Sequence, residues 1–272
     1  MEEKNQGEMS FLEHLEELRW RLIRAAIAIV IGAVLALSLK DLLFEKIIFG
    51  PVKDWFPTNR FLCGISDTLC LTDNSSVFQA LNLPTQITVY LMTGVIVGIV
   101  LAFPYIFYQI WSFIAPGLKD REKKQARGIT VWVSLLFFLG ISFGYFIIVP
   151  ISVQFFLNFS LSDLVKNEFT INSYVSTVTI ITLSTGILFQ LPVVVMILAR
   201  LGLITPAFLK KYRKHALVGV LLLSAIITPP DISSQILVTF PIMLLYELSI
   251  IIAARIQRKS KRNPDSTGIQ TR

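Results

Sequence analysis

The sequence predicts an all-α integral membrane protein with six transmembrane helices and both termini in the cytoplasm, and three observations predict it. Of 272 residues, 54% are hydrophobic and only 16% charged. The apolar residues fall in blocks of membrane-spanning length rather than with an amphipathic period. Residues 128–153, GITVWVSLLFFLGISFGYFIIVPISV, carry no charge on any face, a pattern that suits lipid and not a water-facing helix. Finally, lysine and arginine divide twenty against five between alternate connections. The rich side comprises the N-terminal arm, the second-to-third and fourth-to-fifth connections and the tail. The positive-inside rule makes that side cytoplasmic, and an even number of spans agrees. Basic loops of this kind account for the net charge of +7 without any nucleic-acid partner.

Residues 1–10 lack a basic n-region and a small-residue cleavage site, so no removable signal peptide is expected and 25–39 reads as a retained span. SFLE at 10–13 fits a capping box that starts a helix. On that helix Phe11, Leu15, Leu18 and Leu22 share one face while Glu13, Glu17, Arg21 and Arg24 share the other. It is expected to lie at the cytoplasmic interface before turning into the first span, 22–39. The outer loop 40–86 carries apolar LLF and IIF pieces, which suggest helices lying on the membrane. The second, third and fourth spans are placed at 87–113, 128–149 and 174–199. Pro104, Pro192 and Pro241 fall inside spans, where neighbouring helices re-satisfy the freed carbonyls and kinks are expected.

The fifth span, 212–227, is short: about 24 Å of helix against a hydrocarbon core of about 30 Å. It ends at TPPD, 228–231, which cannot continue a helix. With the sixth span, 236–254, it is expected to form a stubby hairpin that thins the bilayer or ends below the outer surface. Glu247 in that span would cost on the order of 3 kcal/mol near the bilayer centre. It is tolerable near the cytoplasmic surface or paired with a cation such as Arg200. Residues 1–257 thus form one membrane domain with a cytoplasmic N-terminal amphipathic segment, and 258–272 read as a disordered cytoplasmic tail.

Two acidic positions stand out among the basic cytoplasmic stretches. Glu17 can simply pair with Arg21 at i,i+4, worth a few tenths of a kcal/mol. Asp120 and Glu122, set among Lys119, Arg121, Lys123 and Lys124, can simply neutralise their own surface.

Three motifs in order give these residues a second reading. EHLEELRWRL (13–22), YQIWSFIAPGL (108–118) and LVGVLLLSAIITPPDISSQ (217–235) together resemble the TatC family, the polytopic subunit of the twin-arginine protein translocase. The likeness runs from about residue 10 to 254, in register with all six spans. It implies a concave, glove-like bundle whose last two helices are too short to cross. It also implies an inner-membrane protein that binds paired-arginine signal peptides of folded precursors. Such a protein recruits single-span TatA and TatB partners into an oligomeric complex for transport driven by the proton-motive force. By resemblance, Glu17 receives the arginine pair with Arg19 and Arg21 beside it, and Glu122 is the second such glutamate with Phe113 nearby. Pro51 matches a functionally sensitive outer proline, and Asp231 and Gln235 match the outer hairpin motif. Chemically, a carboxylate's two acceptor oxygens fit the planar guanidinium fork in a way that lysine cannot reproduce. The chain departs from the family at Gln190, where an acidic residue is frequent. A glutamine hydrogen-bonds but does not titrate, and it serves either a partner helix or this chain's own helices.

Cys63 and Cys70, the only cysteines, both fall in the outer loop, where they either pair or remain free; a bond closing so short a loop is worth roughly 2.5 kcal/mol. An enzyme would need motifs the chain lacks: His14 and His215 are distant, with no HExxH, GxSxG, P-loop or cysteine cluster, so no catalysis, cofactor or metal is expected. A small-solute channel or carrier would carry an ionisable pathway or internal repeats, and neither is present in the sequence.

Overall fold

A computed structural model describes residues 11–65, 78–114, 126–159, 162, 169–200, 202–228 and 232–262. Among the described residues, five segments are long and apolar enough to cross a membrane: Leu15–Ser38, Thr85–Phe113, Gly128–Leu157, Ile171–Arg200 and Gln235–Arg258. Among the described residues there is no strand, and extended pairing is confined to a bridge between Gln79 and Thr170. The chain divides into two units, residues 1–43 with 86–135 and residues 44–85 with 136–272.

In the first unit, helix α1 (Phe11–Ser38) packs on the helix Thr85–Ile114. α1 is continuous, so the N-terminal amphipathic segment does not turn before the first span as expected. No proline occurs in it and its first glycine is Gly32, so nothing interrupts the backbone ladder. The two helices meet on small residues. A Cβ placed on Gly98 would stand 2.6 Å from the Ile29 carbonyl oxygen and 2.7 Å from the Ala33 nitrogen, and one on Gly32 would stand 3.0 Å from the Gly98 carbonyl oxygen. Gly94 and Gly98 form a GxxxG pair, the spacing that lets membrane helices approach backbone to backbone. Further along, the Tyr90 hydroxyl donates to the Leu37 carbonyl at 3.0 Å.

The second unit takes up the chain at Phe44, within a π-helical turn, Leu42–Ile48, and continues with a 3₁₀ turn, Gly50–Val52, and helix α2 (Pro57–Ile65). Here the LLF and IIF pieces do not simply lie on lipid, since Leu43, Ile48 and the following Phe56 are buried in protein. With the helix Thr85–Ile114 numbered α3, the third span opens as α4 (Ala126–Phe143). It widens into a π turn at Gly144–Ile148 and resumes as α5 (Val149–Asn158), beyond the expected end at 149. Pro150 causes part of this irregularity: it has no N–H for the carbonyl four residues back, that of Phe146. The Thr58 hydroxyl of α2 donates to that carbonyl. Tyr145 and Tyr174 add bonds of 2.6 and 2.7 Å to the carbonyls of Ile47 and Ile48. Phe56 lies against the rings of Tyr145 and Phe146, and Phe49 against Phe78 and Tyr174.

The fourth span is two helices, α6 (Ile171–Leu188) and α7 (Leu191–Arg200). The break at Phe189 and Gln190 precedes Pro192, as the proline leads one to expect. Pro104 and Pro241, in contrast, sit inside uninterrupted helices. Gly140, Gly144 and Gly186 close α4 onto α6, where an added Cβ on any of them would meet neighbours at 2.7–3.1 Å.

A short α8 (Pro206–Lys211) leads to α9 (Arg213–Ile227) and then α10 (Ile232–Arg262). At 15 residues α9 is too short to cross, as expected. α10 is not: its 31 residues exceed the span length and overturn the reading of both last helices as short. It also continues past the expected boundary at 257, because Arg, Gln and Lys are good helix formers and no Gly or Pro follows until Pro264. The two helices run antiparallel. The Gln235 amide donates to the Leu221 carbonyl at 3.1 Å, Ser224 and Thr239 share a 3.1 Å hydrogen bond, and Arg213 pairs with Glu247 at 2.7 Å. Glu247 is therefore level with the start of α9, and its partner is Arg213 rather than Arg200. Both side chains are nearly half exposed. At the same end, Val195, Leu209, Tyr246, Ile250 and Ala253 bind α7, α8 and α10 into one apolar cluster.

Candidate functional site

Of the residues expected to receive a basic peptide, Glu17, Arg19, Arg21 and Phe113 lie on α1 and α3 in the first unit. Glu17 and Arg21 stand one turn apart on α1, the spacing at which helical side chains meet. The Arg21 guanidinium donates to one oxygen, Glu17 Oε1, through both Nε–H, at 3.1 Å, and Nη2. Its remaining nitrogen, Nη1, donates to the Gln109 backbone carbonyl of α3 at 3.3 Å. One arginine thus joins the two helices. The pair is only partly shielded, with side chains 29% (Glu17) and 19% (Arg21) exposed. The second oxygen, Oε2 of Glu17, has almost no exposed surface and accepts no hydrogen bond.

Beneath the Gln109 carbonyl α3 is well packed. Gln109 is buried, and Trp111 is 2% exposed with its ring stacked near that of Phe107 at 6.2 Å. That burial fixes the carbonyl that orients Arg21. Phe113, one turn beyond Gln109, is partly buried. Arg19 is exposed on α1, on another face from Arg21. Glu122, with its neighbours Asp120 and Lys119, lies outside the described residues. The structure therefore brings Glu17, Arg21 and the end of α3 together and leaves Arg19 apart.

The other sequence-predicted positions fall in the second unit. Pro51 is buried in its 3₁₀ turn, and its carbonyl accepts from the Asn59 side-chain amide at 2.9 Å, as does that of Lys53. Asn59 went unnoticed in the sequence. An asparagine inside an apolar-lined helix start, eight residues after the proline, was the available signal. Gln190 stands partly buried at the break between α6 and α7; its backbone carbonyl accepts from Val193 N–H at 2.9 Å. Gln235 is engaged with Leu221 inside the α9–α10 hairpin, and Asp231 lies outside the described residues. Cys63 is disulfide-bonded; Cys70 lies outside the described residues.

Comparison with known proteins gives a consistent result. The profile of the family described as Sec-independent protein translocase protein (TatC) matches residues 13–241. The TatC of Blattabacterium sp. subsp. Periplaneta americana is 40% identical over 264 residues, covering 94% of this chain and 98% of that protein. TatCy of Bacillus subtilis is 36% identical over 257 residues, covering 94% and 93%. A crystal structure of the twin-arginine translocase receptor TatC superposes with a TM-score of 0.70 at 32% identity, covering 90% of this chain and all of that one. A second, of the receptor in DDM, gives 0.71 at 33%, covering 89% and 99%. The chain thus belongs to the TatC family of Sec-independent protein translocase proteins.

Proposed function

We propose that this translocase subunit binds the paired-arginine signal peptides of folded precursors, with Glu17 and Glu122 as the two receiving carboxylates. The observation that carries the reading is the Glu17 carboxylate, which already holds a guanidinium through two donors while α3 anchors that guanidinium from behind. A group that accommodates one arginine fork accommodates another. A solved relative described as a twin-arginine translocase receptor supports the same reading. Each charge-assisted contact is worth roughly 1.5–3 kcal/mol, so two give on the order of 10²- to 10⁴-fold discrimination over a generic basic segment. Phe113 flanks the site, whereas Arg19 stands on another face of α1.

The protein sits in the cytoplasmic membrane with both termini inside, a placement that the lysine and arginine distribution supports. It recruits TatA-type, and where present TatB-type, single-span partners, and transport draws on the proton-motive force. Pro51, Asp231 and Gln235 keep the outer turns in shape, and Gln190 offers a polar contact to a partner span.

The test is crosslinking of an Arg-Arg signal peptide to the purified protein. Glu17→Ala and Glu122→Ala each reduce the yield, and the double variant reduces it further. An unchanged yield in a folded double variant refutes the assignment.

A further inference from the structure

We propose that Arg21 is an internal competitor for the Glu17 carboxylate, setting the affinity an incoming basic peptide must reach before it is held. The proposal rests on the reading of Glu17 as a signal-binding group. Three observations lead to it. Oε1 of Glu17 is engaged by two donors of Arg21. Oε2 has almost no exposed surface and accepts no hydrogen bond. Arg21 is itself held to α3 through the Gln109 carbonyl, so it is anchored rather than swinging free. In this arrangement neither carboxylate oxygen is open to a ligand. A peptide guanidinium reaches Glu17 by taking the place that Arg21 occupies.

The closed pair is also easy to exchange. A buried acceptor without a donor carries a desolvation penalty, and Oε2 carries it for as long as Arg21 serves Oε1 alone. A peptide arginine, not tied to the same helix one turn away, can present its fork to both oxygens at once. The exchange replaces a half-matched fork by a matched one. An internal competitor lowers the affinity of every ligand by the same factor. It therefore acts as a threshold: weakly basic segments fall below useful binding, and a paired-arginine signal with its second contact elsewhere remains above it.

The test measures binding of two synthetic peptides, identical except for Arg-Arg or Lys-Lys, to the full-length protein in lipid nanodiscs at fixed ionic strength. Arg21→Gln is expected to tighten both peptides by a common factor, on the order of 10- to 100-fold. Arg21→Lys, which keeps the charge and loses the fork, gives part of that gain. Arg24→Gln removes the same charge one turn along α1, from a residue with no ion pair among the described residues. Its effect is expected to be under about threefold, because exposed charges at that distance are screened. Adding Glu17→Gln to Arg21→Gln removes the gain. Weaker or unchanged Arg-Arg binding in both folded Arg21 variants, while Glu17→Gln alone still weakens it, overturns the competitor and leaves the Glu17 reading standing. A gain from Arg24→Gln equal to that from Arg21→Gln overturns it too, since charge alone then explains the effect. Arg-Arg binding that ignores Glu17→Gln refutes the underlying reading instead.

Discussion

Replacing Gly98 by alanine tests the seam that holds α1 against α3. The added Cβ would lie 2.6 Å from the Ile29 carbonyl oxygen, whereas ordinary contact begins at 3.4 Å, so the backbones must part locally by about 0.8 Å. Backbone atoms cannot rotate away as a side-chain tip can. Overpacking of this kind costs about 1–3 kcal/mol, and the better helix propensity of alanine returns about 0.5–1 kcal/mol. The net is a loss of up to about 2.5 kcal/mol, or up to about 10 °C in melting temperature for a chain of this size. Gly219 is the internal control: it lies inside α9 with nothing within 4 Å of its would-be Cβ, so Gly219→Ala is expected to raise stability by up to about 1 kcal/mol. Gly94→Ala tests the same seam more gently, because the atoms nearest its would-be Cβ, at 2.5–2.7 Å, belong to the Leu37 side chain and not to backbone. Thermal unfolding in one detergent, followed by circular dichroism, reads all three. The separation also draws the Arg21 guanidinium from the Gln109 carbonyl, so Gly98→Ala should alter peptide affinity as well as stability. A Gly98→Ala protein as stable as Gly219→Ala would refute the account of the seam.

Thr58→Val removes the donor to the Phe146 carbonyl and should cost about 1–3 kcal/mol, while Thr58→Ser should recover most of it; melting temperatures decide. Cys63→Ser should lower stability by about 2.5 kcal/mol, with reductant producing the same loss in the parent protein and none in the variant. Gln190→Leu should weaken capture of a TatA-type span about 3- to 30-fold without abolishing it. A photoreactive side chain at 190 reports this, and capture of lipid or of this chain alone, at rest and with cargo, rules the contact out.

Hydropathy made the long spans legible, since a run such as 128–153 has no polar face to misplace. Prolines were less informative: Pro192 coincides with a break, whereas Pro104 and Pro241 do not interrupt their helices. The difference lies in neighbours that a single sequence does not display. The Glu247 partner was in principle legible, because Arg213 lies fifteen residues before Thr228 and Glu247 sixteen after Asp231. Antiparallel helices folded at that turn must bring the two level. Periodicity alone put Glu17 and Arg21 on one face, but the part played by Gln109 was beyond it, because a backbone carbonyl has no letter of its own. The small-residue seam was visible as Gly94 and Gly98, yet it carries meaning only once Ala33 and Gly32 are known to face it.

The hydroxyl that Thr58 extends to Phe146 spans 88 residues of sequence, and this fixes an order of events during synthesis. On the orientation proposed above, the loop bearing Thr58 is made and moved across the membrane before α4 and α5 exist. When those helices then enter the bilayer, Pro150 delivers them with a carbonyl that their own backbone cannot fully serve. The earlier loop supplies what the later helix lacks. Insertion and completion of this span are thus separate stages in time, and a protein stalled between them would be threaded but not finished. Such a species should present the loop bearing Thr58 to proteases and quality-control factors until α2 docks.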